Sequence, residues 1–309
     1  MDVKQLKKID IHAHAVLFKE FFPPHVIKDS TSVMVSAEEV LALYDQLGIE
    51  KGILLPITAP EAQMSVLSSE SCKFLSDKYP DRFYWFCNVD PRAGSNAVDG
   101  ELIRLIGHYK RLGAKGVGEI TCLLPADHPK VMNLFAACAA CDLPALIHIN
   151  TKGDQGYGIY DELGLPRLET VLKTYPELKL IGHSQAFWSE ISGDNSEEIR
   201  SKYPKGPVQP GGRLVELMRR YPNLYCDLSA GSGHNAIMRD PEFGMAFLEE
   251  FRDRVMYGCD ICHTLNTHPF RFRVFIEEML DAGKLREETY RMIMRENAIR
   301  ILKLDDTDN

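Results

Sequence analysis

The sequence predicts an α/β fold, a single (β/α)8 TIM barrel formed by residues 1–309. Two observations predict it. Short apolar runs rich in β-branched and aromatic residues alternate with amphipathic stretches of helical period, and there are eight such runs. Several runs are apolar throughout, as expected for parallel strands that helices cover on both faces. Eight strands, each followed by a helix, are the number that closes this barrel.

The predicted strands and helices follow each other in strict order. The strands cover residues 8–13, 50–56, 82–89, 114–120, 144–149, 178–183, 223–229 and 254–260. The first helix has Ser36 as its N-cap, Glu39 three residues later and Gly48 as its C-cap. The helices cover residues 36–48, 65–80, 97–113, 129–142, 165–176, 211–222, 241–253, 270–283 and 287–302. Two polar segments, 151–164 and 189–212, follow the fifth and sixth strands, where such insertions often line an active site.

An open, doubly wound sheet is the alternative fold. That fold usually carries a Gly-rich turn after its first strand. The nearest match in this sequence, Gly231-Ser-Gly233-His-Asn-Ala236, follows the seventh run instead. A single G-x-G-x-x-A pattern so late in the chain is weak evidence, and the barrel is favoured.

Composition and charge exclude several classes of protein. The chain is 45% hydrophobic with a net charge of −8 and no basic block, which argues against a nucleic-acid-binding protein. The apolar runs are too short to cross a membrane, and residues 1–10 lack the apolar core of a signal peptide, so we expect a cytoplasmic protein. The eight cysteines mostly lie in apolar runs, which indicates buried free thiols. Two C-x-x-C pairs, Cys138/Cys141 and Cys259/Cys262, leave a zinc ribbon as a weaker alternative.

The first strand ends in two histidines, His12 and His14. Residues i and i+2 of a strand point to the same face, about 6.6 Å apart, so these imidazoles share a face. They stand at the C-terminal end of the strand, which is the catalytic end of a barrel. Their spacing suits joint coordination of a metal ion, although an H-x-H pair alone is a weak signal.

Four other strands also end in ionisable residues. These are Glu119 in the fourth strand, His148 in the fifth, His183 in the sixth and Asp260 in the eighth. Such groups are costly to bury without a partner, and each alone is most simply a hydrogen-bonded core residue. A barrel, however, brings all its strand ends onto one ring. The five strand ends together therefore predict a metal site at the C-terminal face.

This ordered set of motifs resembles the amidohydrolase superfamily of metal-dependent barrel enzymes. It is most similar to the amidohydrolase-related (amidohydrolase 2) branch, which includes proteins like aminocarboxymuconate semialdehyde decarboxylase. The resemblance runs from "IDIHAH" (9–14) to "YGCDICH" (257–263) and includes "GAKGVGEI" (113–120) and "IGHSQAFWSEIS" (181–192). It implies a barrel with a metal site at the C-terminal ends of its strands.

The resemblance also implies a role for each strand-end residue. Glu119 matches the carboxylate that bridges two metals in binuclear members, although the better-known decarboxylases of the branch do not depend on it. Asp260 and His183 are the implied catalytic residues, as proton acceptor and as acid or base. The implied cofactor is a divalent metal, with zinc favoured and either one ion or two. The implied metal ligands are His12, His14, Glu119, His148, His183 and Asp260.

Such a site implies a metal-dependent hydrolase in which metal-activated water attacks an amide, ester or lactone carbonyl. The alternative is a metal-dependent non-oxidative decarboxylase (carboxy-lyase) of a small carboxylated substrate. Arg92 or Arg239 would then supply a cation, and His234, placed on the loop after the seventh strand, is a candidate substrate contact. A barrel that binds metal without turnover is disfavoured by the complete ligand set. The expected partner is a small-molecule substrate, with neither nucleic acid nor membrane, and a homo-oligomer is left open.

Overall fold

The computed structural model describes residues 3–21, 25–27, 30–65, 67–93, 97–152, 156–263 and 266–305. In chain order its strands are β1 (Lys8–Ala13), β2 (His25–Ile27), β3 (Ser30–Ser32), β4 (Ile49–Leu54), β5 (Phe83–Trp85), β6 (Val117–Ile120), β7 (Ala145–Asn150), β8 (Ile159–Tyr160), β9 (Leu180–His183), β10 (Leu224–Leu228) and β11 (Val255–Tyr257). β2 and β3 pair with each other in antiparallel orientation, apart from the barrel, and β8 pairs with β7 beside the ring. The remaining strands form the barrel.

The barrel strands pair in parallel and close into a ring. Pairing runs β1–β4–β5 in one part and β6–β7–β9–β10–β11 in the other. Two single-residue bridges, Cys87 with Val117 and Ala13 with Ile261, join the two parts at both ends. Each predicted strand overlaps one barrel strand. The predicted (β/α)8 barrel is therefore confirmed.

Helices pack around the ring, and the last of them lies at its N-terminal end. They are α1 (Ala37–Leu47), α2 (Ser69–Lys78), α3 (Leu102–Arg111), α4 (Pro129–Ala140), α5 (Pro166–Thr174), α6 (Gln185–Trp188), α7 (Arg213–Arg220), α8 (Ala230–Met238), α9 (Pro241–Glu250), α10 (His268–Asp281), α11 (Glu287–Arg291) and α12 (Asn297–Leu302). Ser36 and Glu39 form the predicted capping box of α1, and Gly48 ends it in the left-handed conformation at φ 71°. Residue 66 of the predicted helix 65–80 lies outside the described residues.

The interior of the barrel is apolar and closed at its N-terminal end. Lys179, immediately before β9, donates to the carbonyl of Ile301 in α12 (3.1 Å). The interior cluster consists of Ile9, Ile11, Ile53, Leu55, Phe86, Leu146, Ile181 and Met256, together with Ala298, Ile301, Leu302 and Leu304 from the C-terminal segment. Because this end is filled with apolar side chains, the opposite end of the strands is where polar groups can gather.

One predicted loop is a helix. The loop expected around His234 is α8, and the His234 side chain is buried, with its ring stacked on Phe272 at 4.2 Å. Gly231 and Gly233 lower the helix propensity of this segment, which conceals the helix in the sequence. All eight cysteines are free thiols, as predicted. No helix in the described ranges combines the length and apolarity needed to cross a bilayer.

Candidate metal centre

The end of β1 is fixed by a buried carboxylate. The register of β1 against β4 shifts between Asp10 and Ala13, just where the strand reaches His12. Asp10 Oδ1 accepts from the backbone N–H groups of His12 (2.9 Å) and Cys259 (2.8 Å). Its Oδ2 accepts from the Tyr44 hydroxyl (2.7 Å). These bonds tie the irregular end of β1 to the segment after β11 and so fix the backbone that carries the imidazoles.

Three imidazoles are oriented through their Nδ1 atoms. His12 Nδ1 donates to Asp227 Oδ2 (2.6 Å), and His14 Nδ1 donates to a backbone carbonyl after β4 (2.9 Å). His183 Nδ1 donates to Ser229 Oγ (3.0 Å), whose hydroxyl donates to Asp227 Oδ2 (2.7 Å). With a proton on Nδ1, each imidazole presents the lone pair of Nε2 to the centre. This is the usual orientation of metal-binding histidines.

Four side chains bring one donor atom each to a common point. His12 Nε2 lies 3.1 Å from His14 Nε2, 3.6 Å from Glu119 Oε2 and 3.5 Å from Asp260 Oδ1. His14 Nε2 lies 3.4 Å from Glu119 Oε2 and 3.6 Å from Asp260 Oδ1. Atoms bound at about 2.0–2.1 Å to a tetrahedral zinc ion are about 3.3–3.4 Å apart. These five distances are therefore in the range expected within one coordination shell.

The charges at this point favour a cation. Burial lowers the pKa of His12, but the carboxylates of Asp260 and Asp227 outweigh it and raise this pKa well above its ordinary value. Burial raises the pKa of Glu119, but the imidazoles of His148 and His12 hold it well below its usual range. Two Nε2 lone pairs 3.1 Å apart also need a proton or a metal ion between them. The residues present therefore fit a divalent cation, which would compete with protons for the same atoms.

Glu119 also connects this donor set to a second group of nitrogens. Its Oε1 faces His148 Nδ1 (2.6 Å) and His183 Nε2 (3.9 Å). The rings of His148 and His183 lie 5.4 Å apart. Asp260 Oδ2 lies 3.8 Å from His183 Nε2 and so borders both groups. The centre therefore has donors for a second cation, with Glu119 between the two positions.

Asp260 is held in an unusual backbone conformation. Its φ of 54° lies in the left-handed region, which is costly for a residue other than glycine. Its N–H donates to the His12 carbonyl (2.8 Å). The preceding residue, Cys259, is held through both of its backbone polar groups, because its N–H donates to Asp10 (2.8 Å) and its carbonyl accepts from His268 Nε2 (2.6 Å). These bonds offset the strain and direct the carboxylate into the centre.

The structure brings all six predicted ligand residues together, and their roles as ligands stay predictions. Sequence reasoning missed Asp227 and Ser229, which are buried at the end of β10. Burial raises the pKa of Asp227, but the imidazoles of His12 and His183 hold it below the usual range, so it is a carboxylate. The sequence pattern that identified the other residues, an ionisable group late in an apolar strand, was also present at Asp227.

Comparison with known families agrees with the geometry. The sequence matches the family described as amidohydrolase over residues 9–304. The chain belongs to the amidohydrolase family. Comparison of this amidohydrolase with curated proteins gives no match.

Solved structures share the fold of this amidohydrolase at low sequence identity. An uncharacterized TIM-barrel protein from Bordetella bronchiseptica has a TM-score of 0.62 and 17% identity, covering 96% of this chain and 99% of that one. A candidate 2-pyrone-4,6-dicarboxylic acid hydrolase from Pseudomonas putida has a TM-score of 0.61 and 14% sequence identity, and the match covers 97% of this chain and 99% of that one. The 2,6-dihydroxybenzoate decarboxylase from Rhizobium has a TM-score of 0.56 and 19% sequence identity, and the match covers 97% of this chain and 99% of that one. At these identities the similarity shows the barrel fold alone.

Proposed function

We propose that this amidohydrolase is a metal-dependent hydrolase that adds water to the carbonyl carbon of an amide, ester or lactone. The position of Asp260 carries the proposal. Its carboxylate belongs to the donor set, yet the side chain is 21% exposed. The side chains of His14 and Glu119 are only 3% and 2% exposed. Asp260 is thus the member of the set that a water molecule entering from solvent can reach.

The donor set favours zinc, which binds imidazole and carboxylate ligands readily. A divalent cation held by His12, His14, Glu119 and Asp260 would lower the pKa of a bound water molecule and polarise a substrate carbonyl. The chain's own part is to hold these donors in place. Asp227 contributes through His12, since a partner on Nδ1 fixes the ring and strengthens Nε2 as a donor.

Proton transfer falls to Asp260 and His183. As water adds to the carbonyl carbon, a new C–O bond forms and one water proton passes to the Asp260 carboxylate. When the C–O or C–N bond to the leaving group breaks, that proton is delivered to the departing alcohol or amine. His183 Nε2, 3.8 Å from Asp260 Oδ2, is placed to relay it. The products are a carboxylic acid and the alcohol or amine.

Decarboxylation is the competing function, because decarboxylases occur among the solved structures with this fold. It would need a cation for the substrate carboxylate. Arg92 is not available for this purpose, because it donates to both oxygens of Glu61 (2.5 and 2.7 Å) and to Asp90. The other candidate, Arg239, has a buried Nε and a buried Nη2 without a hydrogen-bond partner among the described residues. Only Arg92 is therefore excluded as that cation, and product analysis decides between the two reactions.

The test is product analysis with zinc-loaded protein and a panel of esters, lactones, amides and carboxylated aromatics. Hydrolysis releases acid, whereas decarboxylation releases CO₂. We expect acid release, and we expect Asp260→Asn to lower kcat by about 10²-fold or more while part of the metal affinity remains. Asp253→Asn is the matched control. Asp253 lies before the N-terminal end of β11, away from the metal centre at the C-terminal end, and its side chain is 60% exposed. CO₂ release, or full activity of Asp260→Asn, would refute the proposal.

A further inference from the structure

A shallow groove of about 450 Å³ lies on the surface of the protein beside α10. It is lined by Met238 of α8 and by Phe270, Arg271, Val274, Phe275 and Glu278 of α10. Four of these six side chains are apolar, and that of Val274 is 57% exposed. Single exposed apolar residues are ordinary on a protein surface, whereas several that adjoin one another mark a contact with a partner.

The groove follows from the two faces of α10. Phe272 and Ile276 are buried and hold one face of the helix against the protein. Arg271, Val274 and Glu278 are exposed, and because they are three and four positions apart they form one stripe along the opposite face. The stripe is flanked by half-buried aromatic side chains that pack against the core, which are those of Phe270 and Phe275. The core therefore holds the apolar walls of the groove in place.

The two charged residues of the stripe have no partner within their own helix. Opposite charges on a helix pair across three or four positions, as Arg273 and Glu277 do here at 2.9 Å. Arg271 and Glu278 are seven positions apart, or about 10.5 Å along the axis. Within the part of the chain that the structure describes, neither of them belongs to an ion pair. The apolar stripe thus carries an unpaired positive charge at one end and an unpaired negative charge at the other.

This order of charges is complementary to itself. In a contact with twofold symmetry, residue i of one copy meets residue j of the other, and j meets i. The midpoint between positions 271 and 278 falls between Val274 and Phe275. Two copies of α10 that cross there in antiparallel orientation bring Arg271 of each copy opposite Glu278 of the other. Both unpaired charges are then paired, and the apolar side chains between them are covered.

We infer that this groove is a contact surface between two copies of the chain, related by a twofold axis. Val274 and Phe275 form its apolar centre, and an ion pair between Arg271 and Glu278 closes it at each end. The 14 residues of α10 span about 21 Å, and one helix face covers less than the roughly 800 Å² per partner of a standard interface. We therefore expect a weak dimer that dissociates on dilution. The groove is separate from the metal centre, so the inference does not depend on the proposed reaction.

Sedimentation velocity of the full chain over a wide concentration range tests this inference. The wild type should show a monomer–dimer equilibrium. Val274→Asp places a carboxylate at the apolar centre of the contact and should raise the dimer dissociation constant at least about tenfold. Ile103→Asp is the matched control, because Ile103 is an apolar residue of α3 with a similar exposure of 53%. The control should dimerise like the wild type.

Charge reversal tests the twofold geometry itself. Arg271→Glu or Glu278→Arg alone sets like charges against each other at both ends and should weaken the dimer at least about tenfold, with a larger effect at low salt. The variant with both changes restores two ion pairs in reversed order and should dimerise like the wild type. An equal mixture of the two single variants should form a heterodimer, because one copy then carries glutamate at both positions and the other carries arginine.

The possible outcomes decide the inference. A wild type that stays monomeric at every concentration overturns it, and so does a dimer that Val274→Asp and the single charge reversals leave intact. Weakening by both single reversals without recovery in the double variant or in the mixture also overturns it, because the two charges then do not face each other. Should Val274→Asp fail to fold, the charge variants still carry the test, since positions 271 and 278 are exposed.

Discussion

Replacing Asp227 with asparagine tests whether the buried carboxylate that contacts the Nδ1 atoms of His12 and His183 supports metal binding at their Nε2 atoms. Asp227 Oδ2 accepts from His12 Nδ1 (2.6 Å) and from the Ser229 hydroxyl (2.7 Å), and it lies 3.1 Å from His183 Nδ1. Asparagine keeps the shape and one oxygen acceptor but removes the negative charge. Alanine would instead leave these buried donors without an acceptor, at about 1–3 kcal/mol each, and would confuse binding with folding.

The expected loss follows from the role of such partners. Mutating the carboxylate that orients a metal-bound histidine typically costs 10- to 100-fold in metal affinity, or about 1.4–2.8 kcal/mol. Because Asp227 supports both His12 and His183, we expect Asp227→Asn to lie at the upper end of this range. The dissociation constant for zinc is measured by competition with a chromogenic chelator at fixed pH.

The matched control is Asp161→Asn, which also removes a fully buried aspartate. Asp161 accepts from the backbone N–H groups of Arg167 (3.1 Å) and Leu168 (2.8 Å) at the start of α5 and contacts none of the donor atoms. Its zinc affinity should equal that of the wild type. An Asp227→Asn protein that binds zinc within threefold of the wild type, or a loss of equal size in the control, would refute the reasoning.

Three further predictions concern the glycine before β8, the buried Asp161 and the two histidines of β1. Gly158→Ala should lower the free energy of unfolding by about 1–3 kcal/mol more than Gly164→Ala in denaturant titrations, because both glycines have positive φ but a Cβ at position 164 meets nothing within 4 Å. Burial raises the pKa of Asp161 from 3.8 to about 7. The folded state therefore binds this proton more tightly, and the Asp161 contribution to stability falls as pH rises from about 4 to about 7. The stability advantage of wild type over Asp161→Asn should thus be larger at pH 5 than at pH 8, and a constant difference would contradict this. Replacing His12 and His14 together with alanine should abolish zinc uptake and its effect on the melting temperature, whereas His108→Ala should retain both; full zinc content in the double variant would disprove the assignment.

The barrel could be predicted because apolar residues recur with different periods in strands and in helices, so the alternation of the two along the chain was visible. The positions of the ionisable residues at the strand ends followed from that alternation. Glu119 and Asp260 are 141 positions apart in the chain, and they could be placed together only because parallel strands in a ring end on one face. The capping box at Ser36 was predictable for a different reason, since it depends on residues three positions apart.

Other features depend on contacts that no local pattern encodes. The Nδ1 partners of the histidines come from β10 and from a backbone carbonyl after β4, so the orientation of each ring is a tertiary property. The left-handed conformation of Asp260 is maintained by Asp10 and His268, which come from β1 and α10. Helix α8 was hidden because its glycines oppose helix formation locally, whereas packing of His234 on Phe272 favours it.

The most direct test of the metal centre is anomalous diffraction from crystals of the zinc-loaded protein, recorded on both sides of the zinc absorption edge. We expect an anomalous peak within about 2.0–2.2 Å of His12 Nε2, His14 Nε2, Glu119 Oε2 and Asp260 Oδ1. A second peak between Glu119 Oε1 and His183 would show that both donor groups are filled. A zinc peak elsewhere on the chain, with these four atoms left without metal, would contradict the account.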